Sequence, residues 1–261
     1  MRKLSPAIPT ALLILAFGLG ACGQIEPDEP VDADGDPLDM PDPGEEWLYV
    51  TDITPDDELS VRPTIAIEFN QYLDATTFNS FGTVRLASRG HLRSGRVEYR
   101  MTRKTLLFRP TSPLEPGIDY QLRWLADDLR SIVGSPLFPG SMFPSYRPDP
   151  DLDVADPDER PRVGWDEVEE IFDQSCNFCH ADPDWMLPEL TRDGLVGRRS
   201  EQVERLLVEP YHPERSYLMH KILPDYTDRR HTVQPPPWSE AELSIDDVER
   251  IEHWIAAGAP G

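Results

Sequence analysis

Two cysteines three residues apart with a histidine directly behind them, Cys176-Asn177-Phe178-Cys179-His180, constrain this chain more than any other feature. There are three cysteines in all, and the third, Cys22, lies far away near the N-terminus, so no disulfide framework exists to staple a fold. On one helical turn, two thiols at this spacing face the same way. They can then form thioethers to the two vinyl groups of a single haem, while the following imidazole turns to the iron from the same side. This reading makes Cys176 and Cys179 the attachment points, and His180 the proximal iron ligand, of one covalently bound haem c. Three other chemistries use the same residue types. A zinc site would add two of His212, His220 and His231, whose spacing fits no finger pattern. A thioredoxin-like redox pair needs a βαβ surround, whereas both flanks here read as helix. A disulfide across two intervening residues is strained.

The N-terminal end speaks about location. Arg2 and Lys3 precede an apolar run, Ala11 to Phe17, that ends at Leu19-Gly20-Ala21-Cys22. The run has the length of a signal peptide and is too short for a permanent span. Small residues directly before Cys22 resemble a lipobox, which implies lipidation of Cys22 and attachment to a bacterial membrane through acyl chains. Gly23 stands where an aspartate would signal inner-membrane retention in some bacteria, so the outer membrane is expected. The formal net charge of -23 and the 28 prolines point to acidic spacers, and they argue against nucleic acid or an anionic lipid surface as a partner of the whole molecule.

Composition divides the rest. Residues 23–46 hold ten acidic residues, no basic ones and five prolines, the pattern of a self-repelling tether. Its Asp32-Ala33-Asp34-Gly35-Asp36 stretch lacks the ligand run of a calcium loop. From 47 to 146 the chain breaks into short alternating or β-rich runs: Leu48-Tyr49-Val50, Thr64 to Phe69, Thr83 to Leu86, Val97 to Tyr99, Thr105 to Phe108 and Tyr120 to Trp124. Turn residues such as Thr54-Pro55-Asp56-Asp57 separate them, and about a hundred residues of this kind predict a β-sandwich. The ordered marks Ile53-Thr54-Pro55, Ile65 to Asn70, Leu73 to Thr76, Leu106 to Pro110, Pro113 to Gly117 and Tyr120 resemble a bacterial Ig-like domain of the SbsA type. That resemblance implies a spacer or interaction module without catalytic residues. His91, the lone histidine of the segment, reads as a surface turn residue.

Residues 147–162 are again acidic and proline-containing and read as a linker between domains. Beyond them the period becomes helical: Val168, Ile171 and Phe172 form one apolar stripe, Ile245, Val248, Ile251 and Ile255 another, and Ser244 fits an N-cap. Three blocks within 163–261 resemble cytochrome c-like domains of the planctomycete type. They are the helix into Cys176-Asn177-Phe178-Cys179-His180, the Pro213 to Ile222 segment, and Leu243 with Ile251 to Ala259. The resemblance implies the same roles for Cys176, Cys179 and His180, and a C-terminal helix around Trp254 packed on the helix carrying Ile171 and Phe172. The fold class expected is therefore multidomain, an all-β Ig-like sandwich followed by a small all-α cytochrome c-like domain.

One departure matters. The family usually places a distal methionine before a pair of prolines, and this chain reads Val233-Gln234-Pro235-Pro236-Pro237 there. A glutamine amide is a weak iron ligand, which leaves His231 and Met219 as distal candidates, His231 first, with an open iron as the third case. Met219 and His220 also suit an ordinary amphipathic helix with Leu218 and Ile222 inward, and His212 and His253 read as surface residues. The expected function is electron transfer with a redox partner protein outside the cytoplasm, more a carrier than an enzyme. An adhesion or interaction lipoprotein with a structural C-terminal domain, and a haem enzyme with an open distal site, are the alternatives.

Overall fold

The computed structural model describes residues 44, 46–56, 58–125, 128–139, 144–152, 160–181, 187–223, 226 and 243–261. The signal segment with Cys22, the tether, His231 and Gln234 lie outside the described residues.

Nine strands form two sheets among the described residues. The first contains β1 (Val50–Thr54), β3 (Ile65–Phe69), β7 (Thr105–Pro110) and β6 (Gly95–Arg100), in the order β1-β3-β7-β6 and antiparallel throughout. The second has the order β2-β9-β8-β4-β5, from β2 (Glu58–Ser60), β9 (Ser145–Asp149), β8 (Tyr120–Trp124), β4 (Val84–Ser88) and β5 (His91–Arg93). Only the β2–β9 pairing is parallel in these ladders. Alternation puts Ile65, Ile67 and Phe69 inward from one sheet and Val84, Leu86, Tyr120 and Leu122 inward from the other, all buried. The Phe69 and Trp124 rings meet across the gap at 5.8 Å. Gly95 is required where it stands, because a Cβ there would lie 2.2 Å from the Phe108 ring.

Helices occupy the C-terminal part: α1 (Trp165–Ser175), α2 (Asn177–His180), α3 (Arg192–Leu195), α4 (Tyr217–Ile222) and α5 (Ile245–Ala256), with a 3-10 turn at Pro213–Arg215. None is long and apolar enough to cross a membrane among the described residues. Ser244 caps α5 as its sequence predicts, its hydroxyl accepting from Asp247 N at 3.1 Å. Gly258, at φ +96°, ends the last turn, and a side chain there would strike the Tyr211 ring. α1 and α5 pack together, with the Trp165 ring 5.3 Å from that of Trp254.

The expected fold class, an all-β Ig-like sandwich followed by a small all-α cytochrome c-like domain, is corrected here. The described chain is mostly β, its helices are few and short, and Pro43–Gly261 forms one compact unit. A single apolar core runs from Ile67 and Phe108 through to Phe172 and Trp254. The reason is a set of polar contacts that fasten the helices to the four-stranded sheet. Glu252, fully buried on α5, accepts from Met101 N at 2.6 Å, from Thr102 N at 3.3 Å and from the Thr102 hydroxyl. Arg100 Nη2 donates to His253 Nε2 at 2.6 Å, and Arg160 Nη2 to Glu98 Oε2 at 2.9 Å. Arg100 and Glu98 both point outward from β6, so the helices lie on the outer face of that sheet as a third layer. His253, expected at the surface, is buried by this docking.

Candidate functional site

The Cys176–His180 turn hangs from the end of α1. Val168, Ile171 and Phe172 bury one face of that helix, which fixes where its last turn points. Phe172 O accepts from Cys176 N at 2.8 Å, closing α1, and Cys176 O accepts from Cys179 N and His180 N, both at 3.2 Å, opening α2. The two thiols and the imidazole therefore share one helical turn, as their spacing predicts. Cys176, Cys179 and His180 are all half-buried, whereas Phe178 between them is 92% exposed.

His180 Nδ1 lies 2.8 Å from Pro188 O. A carbonyl oxygen only accepts, so Nδ1 is the donor, and in the neutral ring Nε2 keeps the lone pair. A metal-binding histidine is commonly held in this way, with one ring nitrogen hydrogen-bonded and the other directed to the metal. The residues thus fit the iron of a haem c attached through Cys176 and Cys179.

Burial, with the Cys179 thiol beside it, pushes the Cys176 thiol up to about 11. A reactive redox cysteine needs the opposite, a site that favours the anion. Among the described residues no three His, Cys, Asp or Glu side chains gather into a metal-holding group. His212 Nδ1 faces Glu214 at 3.0 Å, and His220 sits beside Arg205 Nη1 at 3.0 and 3.1 Å.

Met219 is fully buried on α4, which packs against α5 and the Pro213–Arg215 turn. Ile222 faces inward as expected, but Met219 and His220 are buried too while Leu218 is only half-buried. The Tyr226 ring, 4.6 Å from His220 and 5.3 Å from Tyr72, links this helix to the sandwich. Sequence reading missed Glu252 and Arg100. Glu252 was findable, since it lies four residues after Val248 and three before Ile255, inside the apolar stripe of α5. Nothing in a strand such as Gly95 to Arg100 announces a buried arginine.

No protein-family model matches the chain, and no curated protein matches it. Among solved structures, domains 1-6 of surface layer protein SbsC are similar at 12% identity and a TM-score of 0.32, over 42% of this chain and 14% of that one. The N-terminal part of the bacterial S-layer protein SbsC gives 12% and 0.31, over 42% and 25%. Mycobacterium tuberculosis L,D-transpeptidase 1 gives 11% and 0.25, over 38% of each chain. Likenesses this faint assign neither family nor activity.

Proposed function

We propose that this chain is an extracytoplasmic, lipid-anchored protein that carries one covalent haem c and passes electrons to or from a redox partner protein. The observation that carries the reading is the Cys176-x-x-Cys179-His180 turn with His180 Nδ1 tied to Pro188 O, which leaves Nε2 for iron. When bound, the haem supplies an iron that gains and loses one electron. Cys176 and Cys179 hold the group at two points, and the Pro188 carbonyl fixes the imidazole's tautomer and plane. α1, packed on α5 through Trp165 and Trp254, sets the position of the whole turn.

The three sequence blocks resembling planctomycete-type cytochromes support this reading, and the lipobox-like end at Cys22 supports a membrane anchor, with the outer membrane preferred. The sandwich then serves as spacer or interaction module. His231 or Met219 would supply the second protein ligand to the iron. The absent methionine before Pro235 supports a second reading, an open iron that binds a small ligand, as in a haem enzyme. Denaturing electrophoresis of the purified mature protein, stained for peroxidase activity, tests the first reading. A haem-stained band that vanishes in Cys176→Ser/Cys179→Ser is expected, and an unstained parent band overturns it.

A further inference from the structure

The net charge of -23 conceals an uneven distribution. Helices dock on the four-stranded sheet at the β6 end, whereas the outer face of β5, β4 and β8 carries another pattern. Arg85 and Arg123 stand directly opposite each other on β4 and β8. Like charges so placed repel. Arg85 Nη1 donates to Ser94 Oγ, while its buried Nε has no partner. Arg123 donates through Nε and Nη2 to Gln121 Oε1 at 3.1 and 2.9 Å. Among the described residues neither guanidinium has a carboxylate partner, although Arg93, Arg109 and Arg147 all have one. Ala87 and Leu92 pair on the same outward side, and Leu92 is 52% exposed. None of the residues of β4, β5 or β8 is a carboxylate.

We propose that this half-sheet face docks on an anionic phospholipid surface. Arg85 and Arg123 meet headgroup phosphates, and Leu92 reaches the headgroup–acyl boundary. A guanidinium's planar fork matches phosphate oxygens, and an exposed apolar side chain flanked by cations suits the interfacial layer. The neighbouring Arg93–Glu115 pair adds no net charge to the patch, and the pull of more distant carboxylates decays over about 8 Å at physiological salt. The anchored reading of Cys22 brings the face to a bilayer, and the inference rests on it for that alone.

The test uses the mature full-length chain carrying Cys22→Ser, so that no acyl chain contributes. Its partition is measured on phosphatidylcholine vesicles with and without phosphatidylglycerol. Binding only to the phosphatidylglycerol vesicles is expected, falling about thirtyfold in Arg85→Gln/Arg123→Gln at about fivefold per arginine near such a surface. Arg96→Gln, an exposed arginine of the other sheet, should bind like the parent, and Leu92→Ser should bind more weakly. An unchanged far-ultraviolet spectrum certifies each variant's fold. Equal binding to both vesicle types, no binding by the parent, or undiminished binding by the double variant each overturns the proposal. Membrane release of Cys22→Ser in cells reports on the anchor separately.

Discussion

Replacing Glu252 with alanine should loosen the helical layer from the sheet. The carboxylate is fully buried and accepts from Met101 N, Thr102 N and the Thr102 hydroxyl, with Arg100 as its nearby counter-charge. Its removal leaves two backbone N–H groups without an acceptor, at about 1–3 kcal/mol each, and takes a nearby counter-charge from the buried Arg100. Breaking a buried charged pair from one side costs about 3–5 kcal/mol. Burial itself holds the Glu252 carboxyl above the usual carboxylate range, against the pull of Arg100 and the three donors. Some desolvation cost is therefore recovered on removal, which sets the expected loss near the lower end, about 3 kcal/mol. Urea denaturation followed by tryptophan fluorescence measures it, since Trp165 and Trp254 lie in the layer concerned. A loss below about 1 kcal/mol, the size of an ordinary single hydrogen bond, would refute the fastening role.

The raised position of Glu252 also fixes a pH dependence. A carboxyl whose folded pKa lies above its unfolded one contributes stability that is present below the unfolded value, about 4.3, and lost as pH rises through the folded one. The penalty of Glu252→Gln, measured by the same denaturation, should therefore be larger at pH 4 than at pH 8; a larger penalty at pH 8 contradicts the burial argument. Cys22→Ser should leave export intact and move the protein to the soluble extracytoplasmic fraction, and persistent membrane retention in high salt counts against lipidation. Ferric absorption spectra of His231→Ala and Met219→Leu should differ, the distal ligand's variant turning high-spin. Because Met219 is fully buried, Leu is the substitution to use, at a stability cost under about 1.5 kcal/mol.

What was legible in the sequence and what was not divide along physical lines. β3 and β7 were readable as short, largely buried runs rich in apolar residues, and β8 because Tyr120, Leu122 and Trp124 alternate with Gln121 and Arg123. The α5 cap and the Cys176–His180 turn were readable because both are local, settled by residues three or four apart. β9 was missed because Arg147, Pro148 and Asp149 look like linker; pairing with β2 makes them a strand, continuing Ser145 and Tyr146, which pair with β8, and pairing is a long-range fact. The docking of helices on the sheet depends on Arg100, Glu252 and His253, which are about 150 residues apart in the chain but 2.6–3.3 Å from their partners in space. Polar residues like these read as surface until an interface buries them.

The haem assignment is tested most directly by the mass of the peptide spanning Cys176 to His180, taken from protein matured in a cell that attaches haem c. The account predicts one porphyrin covalently bound, retained after denaturation, with neither cysteine available to a thiol reagent. A peptide of unmodified mass with two titratable thiols would contradict it.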